Sequence, residues 1–141
     1  MKRIFTLVFC LLVAMCSASA QVYFTDSPES ARRQALENDL PIFVDVYAVW
    51  CGPCRTMDED VFSREGVGDF MNDNFVALKI DIDSETGRSV ARKYEIKSVP
   101  TFLIIDTDGN LLGRTSGARD EKLFIADMKR MLERIKSRRN P

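Results

Sequence analysis

The 141-residue chain contains no histidine. That excludes imidazole acid–base catalysis and, with it, most zinc sites, which rely on histidine and cysteine ligands. Cysteine is scarce: of the four residues Cys10, Cys16, Cys51 and Cys54, the first two fall within the opening segment. An excess of charge of either sign is missing as well, since 20 lysines and arginines face 21 aspartates and glutamates. So even a balance leaves no electrostatic footprint for nucleic acid. Beyond the start there is no long apolar run, and no internal repeat or low-complexity linker interrupts the chain. The length fits one globular domain.

The first twenty residues stand apart. Lys2 and Arg3 form a basic lead, Ile4 to Met15 an apolar core, and Ala18-Ser19-Ala20 a small-residue cleavage site. This three-part pattern predicts a signal peptide over residues 1–20, cleaved after Ala20, and a periplasmic or secreted protein. The apolar core is short for a membrane span. Lipid attachment at Cys16 is disfavoured by bulky Met15 before it. Cleavage removes Cys10 and Cys16, and its only charges, Lys2 and Arg3, so the net charge moves from −1 to −3. A folded domain is then expected over residues 21–136, followed by a basic, frayed tail over residues 137–141. Cys51 and Cys54 remain, able to pair only with each other or with a partner protein.

What is present is concentrated in Val49-Trp50-Cys51-Gly52-Pro53-Cys54-Arg55. An apolar run from Leu40 to Val46 leads in, and a helix-prone acidic run from Thr56 to Phe62 leads out. Strand, tight turn and helix are the context in which Cys-x-x-Cys reads as a redox dithiol. Cysteines three apart on the first turn of a helix share a face, close enough for a disulfide to form and break. Pro53 suits that first turn, where a missing N–H costs nothing. Cys51 at the helix start faces unsatisfied N–H groups and the positive end of the dipole, which favours its thiolate. The competing structural disulfide would close a very small loop and stabilise little. Zinc would want four ligands that the mature chain lacks, so no metal or other cofactor is expected.

Around this motif the order reads α, β, α, β, α, β, β, α. A helix opens at Asp26-Ser27-Pro28-Glu29 and ends near Asn38. Pro41 to Tyr47 is apolar almost without alternation, as a central strand covered on both faces should be. Its one charge is Asp45. The helix after the dithiol is expected to run to about Phe62, with a break over Ser63–Gly68 and a short helical turn over Val67–Met71. A strand over Phe75–Ile82, a helix over Ser84–Tyr94 and a strand over Phe102–Ile105 follow. Asp108-Gly109-Asn110 makes a hairpin into Leu111–Thr115. Asp120 caps a final helix with apolar positions at Leu123, Phe124, Met128, Met131, Leu132 and Ile135. The predicted fold class is α/β, a central mixed sheet with helices on both faces.

Trp-Cys-Gly-Pro-Cys matches the active-site motif of the thioredoxin family letter for letter, and the element order over Phe24 to Leu132 is similar to the thioredoxin fold. Val61-Phe62-Ser63 and Met71-Asn72-Asp73-Asn74-Phe75-Val76 resemble the C-terminal periplasmic domain of membrane disulfide reductases more than cytosolic thioredoxin. The resemblance implies a thiol–disulfide oxidoreductase in which Cys51 attacks a substrate disulfide and Cys54 resolves the mixed disulfide. Its partners would be disulfide-bonded proteins and an upstream thiol donor such as a membrane disulfide reductase, and the chain would act as a monomer. Two rivals are an oxidase or isomerase on the same scaffold, and a binding module without turnover.

Further site residues follow. Asp45 in a buried strand should have a raised pKa, and the resemblance makes it the proton acceptor for Cys54 through water, with a capped, hydrogen-bonded structural carboxyl the alternative. Lys79 in the neighbouring strand is its candidate partner, with strand-edge exposure the alternative. Pro100 opens an apolar strand either as an ordinary start residue or in cis, and the match of Ser-Val-Pro-Thr implies cis. Val99 would then pair its backbone with the substrate. Trp50 is expected either at the rim of the substrate site or in the core, and Gly52 and Pro53 complete that surface. Gly117 either lets its loop approach the site or serves a turn. Two departures from the family stand out. No proline kinks the helix, which runs Met57-Asp58-Glu59-Asp60, and Val49 replaces a polar residue. The acidic run is expected to be a solvated face.

Overall fold

A computed structural model describes residues 20–25 and 27–139. The predicted signal-peptide segment through Ser19, the Asp26 position and the last two residues lie outside the described residues. Five strands form one sheet in the order β1-β3-β2-β4-β5. They are β1 (Phe24–Thr25), β2 (Ile42–Tyr47), β3 (Val76–Asp81), β4 (Thr101–Ile105) and β5 (Leu111–Ser116). The first three run parallel, β4 runs antiparallel to β2, and β5 antiparallel to β4. Asp45 on central β2 stands level with Lys79 on β3 and Phe102 on β4.

The helices are α1 (Pro28–Asn38), α2 (Gly52–Met57), α3 (Glu65–Asn74), α4 (Glu85–Lys93) and α5 (Glu121–Arg139). Their starts follow capping chemistry. Ser27 accepts from the Ser30 N–H, Ser84 from the Gly87 N–H and Asp120 from the Leu123 N–H. Gly87 sits where a Cβ would strike the Asp81 carbonyl oxygen at 1.8 Å, so α4 lies against the end of β3 only because this residue is glycine.

Because β2 and β3 alternate, they send different side chains to the two faces. Phe43, Ala77, Phe102 and Ile104 join Met57, Val61, Phe62, Phe124 and Met128 in an aromatic-rich core beneath α2, α3 and α5. Phe43 stacks on Phe102 at 5.8 Å and meets Phe62 and Phe124 edge-on, the arrangement ring quadrupoles favour. Val44, Val46, Leu78, Ile80 and Leu103 form an aliphatic core with Ala31 and Ala35 of α1 and with Tyr94 after α4.

Four expectations need correction. The two-residue β1 was not foreseen. The helix after the dithiol does not continue regularly to Phe62: it becomes a π-helical turn over Asp58–Phe62. The wider turn brings Phe62 as well as Val61 into the core. The expected break over Ser63–Gly68 shrinks, because α3 starts at Glu65 and has ten residues. Finally, Ser137–Arg139 are helical rather than a frayed tail, continuing α5 past buried Ile135.

Candidate active site

Cys51 is the N-cap of α2, with extended backbone, and its sulfur accepts from the Cys54 N–H at 3.2 Å. Pro53 lies in the first turn, where it displaces no helical hydrogen bond. The two cysteines are joined by a disulfide, their Cα atoms 5.3 Å apart. Both are buried, in a small cluster with Ala48, against which Tyr47, Ile82 and Val99 pack. The Cys51 N–H donates to the Ala48 carbonyl at 3.1 Å, tying the dithiol to the end of β2.

The facing loop is held as tightly. The Val99–Pro100 peptide is cis. The Pro100 carbonyl accepts from the Gly117 N–H at 2.9 Å, and Thr101 Oγ1 donates to the Ser98 carbonyl at 2.7 Å. Gly117 has a φ of +88° with open space around a notional Cβ, so backbone conformation, and not crowding, calls for glycine there. The structure thus packs Val99 against the dithiol, with Pro100 next to it in the chain and Gly117 bonded to Pro100. Gly52 is exposed at the start of α2, between the cysteines.

Trp50 is not a core residue. It is 68% exposed, with Val49 equally open beside it, and its indole Nε1 donates to Asp83 Oδ2 at 2.8 Å. Asp83 escaped the sequence reading because it lies in the loop after β3, with no periodicity to mark it.

Asp45 projects from β2 to the aromatic side of the sheet. Its Oδ2 lies 3.4 Å from Lys79 Nζ, while Oδ1 is buried with no hydrogen-bond partner among the described residues. Burial pushes its pKa up from 3.8 to about 7, against the pull of the Lys79 charge and with a push from Asp58. Lys79 is partly buried, its ammonium over the rings of Tyr47 at 4.8 Å, Phe24 at 5.2 Å and Phe62 at 5.9 Å. It also pairs with Asp58, so the acidic run is not wholly a solvated face. Glu59 and Asp60 are exposed; Asp58 is turned in. The spacing carried a signal for this, since Asp58 stands four residues after Cys54, on the face that Cys54 buries.

Chemically, the arrangement is a reversible two-electron couple with a carboxyl of near-neutral pKa in the strand leading to it. Comparison with known proteins shows the family in which this arrangement stands. A family model for the thioredoxin-like domain matches residues 28–132. The thioredoxin of Mycolicibacterium smegmatis is 30% identical over 117 residues, 81% of this chain and 96% of that one. The chain spans about half the length of the chloroplastic thioredoxins Y that it also matches. Among solved structures, a proposed disulphide-isomerase from Bacteroides thetaiotaomicron superposes with a TM-score of 0.73 at 31% identity, covering 83% of this chain and 98% of that one. The oxidised C-terminal domain of DsbD from Neisseria meningitidis gives 0.61 at 20% identity over 77% of this chain and 98% of its own, a likeness of fold.

Proposed function

This chain belongs to the thioredoxin-like family, and we propose that it is a periplasmic or secreted reductase of protein disulfides. The observation that carries the proposal is the Cys51–Cys54 pair at the start of α2, buried against Val99 of the cis-proline loop. In the reduced protein the Cys51 thiolate attacks one sulfur of a substrate disulfide, which releases the other as a thiolate. Cys54 then gives its proton to the Asp45 carboxylate and attacks the Cys51 sulfur of the mixed disulfide. The substrate leaves as a dithiol, the protein as the Cys51–Cys54 disulfide, and two electrons have moved. An upstream thiol donor returns them.

Exposed Val49 and Trp50 offer an apolar rim to a substrate chain beside Val99 and Pro100, with Gly52 and Pro53 at its edge. Direction follows from what surrounds Cys51. Gly52-Pro53 brings no positive charge or histidine between the cysteines, so the helix dipole, worth roughly 1 kcal/mol at such a site, is the main stabiliser of the thiolate. Strong oxidants in this chemistry depend on a far more stabilised reduced form. The oxidised form of this protein should therefore be the more stable one.

The test is the equilibrium potential of the dithiol, measured together with urea unfolding of both redox forms. The reductase reading expects insulin-type disulfides to be reduced with a small thiol donor, and the oxidised form to unfold at higher urea. A reduced form more stable than the oxidised one would make the protein an oxidase.

A further inference from the structure

We propose that Asp58 is a positioning residue for the dithiol reaction, drawing the Lys79 ammonium away from Asp45 and so setting the pH at which Asp45 accepts the Cys54 proton. This rests on the assignment of Asp45 as that acceptor. The three side chains form a line from core to surface: Asp45 is 3% exposed, Lys79 22% and Asp58 41%. Lys79 is confined by the faces of Tyr47, Phe24 and Phe62, so its ammonium stays between the two carboxylates. Asp58 pairs with it from the solvent side, and Asp45 Oδ2 stands at 3.4 Å from the core side. A cation shared between two carboxylates stabilises each less than it would stabilise one alone.

Backbone geometry links Asp58 to the reacting sulfurs. It is the first residue of the π-helical turn, and its N–H donates to the carbonyls of both Cys54 and Arg55 at the end of α2. The turn aims Asp58 at the sheet while Glu59 and Asp60 stay in solvent. Lys79 is reached by Asp45 and Tyr47 from β2, Phe24 from β1, and Asp58 and Phe62 from the π-helical turn; Phe102 stands level with Asp45 on β4. Of these, Asp45, Tyr47, Lys79 and Asp58 titrate, and the charges acting on Asp45 are those of Lys79 and Asp58. With Asp58 neutral, the like charge is gone and Lys79 serves Asp45 alone.

The experiment follows the Asp45 carboxyl carbon by NMR through a pH titration of the oxidised protein, in which neither Cys51 nor Cys54 titrates. It compares the parent protein with Asp58→Asn and Asp58→Glu. Asn is expected to lower the Asp45 midpoint by about one pH unit, and Glu, which keeps the charge, to restore it. The acid limb of the rate of mixed-disulfide resolution should move down equally. One unit below the parent midpoint, resolution in Asp58→Asn should then be roughly fivefold faster. A midpoint that stays in place with Asn, or falls as far with Glu, overturns the positioning role and leaves the oxidoreductase reading intact. A midpoint that moves while the resolution profile does not overturns the acceptor role of Asp45, and this inference with it.

Discussion

The two faces of the sheet solve the same packing problem with different chemistry. Beneath α1 and α4 the strands present Val44, Val46, Leu78, Ile80 and Leu103, an aliphatic layer with no buried charged group among the described residues. Beneath α2, α3 and α5 the same strands present Phe43, Asp45, Lys79 and Phe102, rings and charges together. Alternation along β2 and β3 makes that split possible, because neighbours in sequence face opposite ways. A buried carboxyl is tolerated on one side because a lysine, itself held over three rings, lies beside it. The difference teaches that the buried charges are confined to one layer, while the dithiol sits in its own cluster, with Ile82 and Val99 packing on it and on the aliphatic layer alike.

The hardest break of this comparison is to move the carboxyl one residue along the strand. Val46→Asp places it in the aliphatic layer, at a fully buried position among aliphatic side chains. Losing a buried valine costs about 2 kcal/mol and an unpaired buried charge about 3 more. A total of about 5 kcal/mol is a large share of an ordinary domain's stability. Urea unfolding at pH 7 should find Val46→Asp unfolded or nearly so, and a variant within about 2 kcal/mol of the parent would show that the aliphatic layer admits charge.

A smaller effect sharpens the comparison on the other side of the strand. The Asp45 pKa is about 7 in the folded chain against 3.8 ordinarily, so the native state holds its proton more tightly than the unfolded state. The sign follows: stability from this group is full below about pH 4 and is lost as pH rises through about 7, by roughly 4 kcal/mol in all. Asp45→Asn abolishes that loss. Its unfolding free energy relative to the parent should therefore climb between pH 4 and pH 8, measured on the oxidised proteins. A flat difference would mean that Asp45 titrates as an ordinary carboxyl.

Much of this was legible in the sequence, and the misses have physical causes. The dithiol, the capped helices, Asp45 in an apolar strand and Lys79 in the next all follow from local pattern, because burial on two faces or one leaves a period. Trp50 was poised between rim and core, since an aromatic beside a turn has no period to decide it. The two residues of β1 are too few to show alternation. Asp58 was misjudged because a run of three acids looks solvated, although its place four residues after buried Cys54 puts the first of them on the inward face. Asp83 reaches Trp50 across 33 positions, a contact that tertiary structure alone creates.

The smallest effect isolates the aliphatic layer's own polar group. Tyr94 is buried there, and its hydroxyl donates to the Gly109 carbonyl at 2.8 Å, closing the β4–β5 hairpin over the end of α4. Tyr94→Phe removes one hydrogen bond and leaves a carbonyl close to the surface, a loss of about 1 kcal/mol. The redox potential reports something different from this loss, because a mutation shifts it only by the difference between its effects on the oxidised and reduced forms. Were the whole 1 kcal/mol to fall on one form, the potential would move by about 20 mV. Tyr94 lies in the layer that holds neither cysteine, so both forms should lose stability equally. Unfolding of each form should thus show the same loss, with the potential unchanged to within about 5 mV. A potential that follows Tyr94 would mean that the two layers are coupled through β2, and that the division of labour between the faces does not hold.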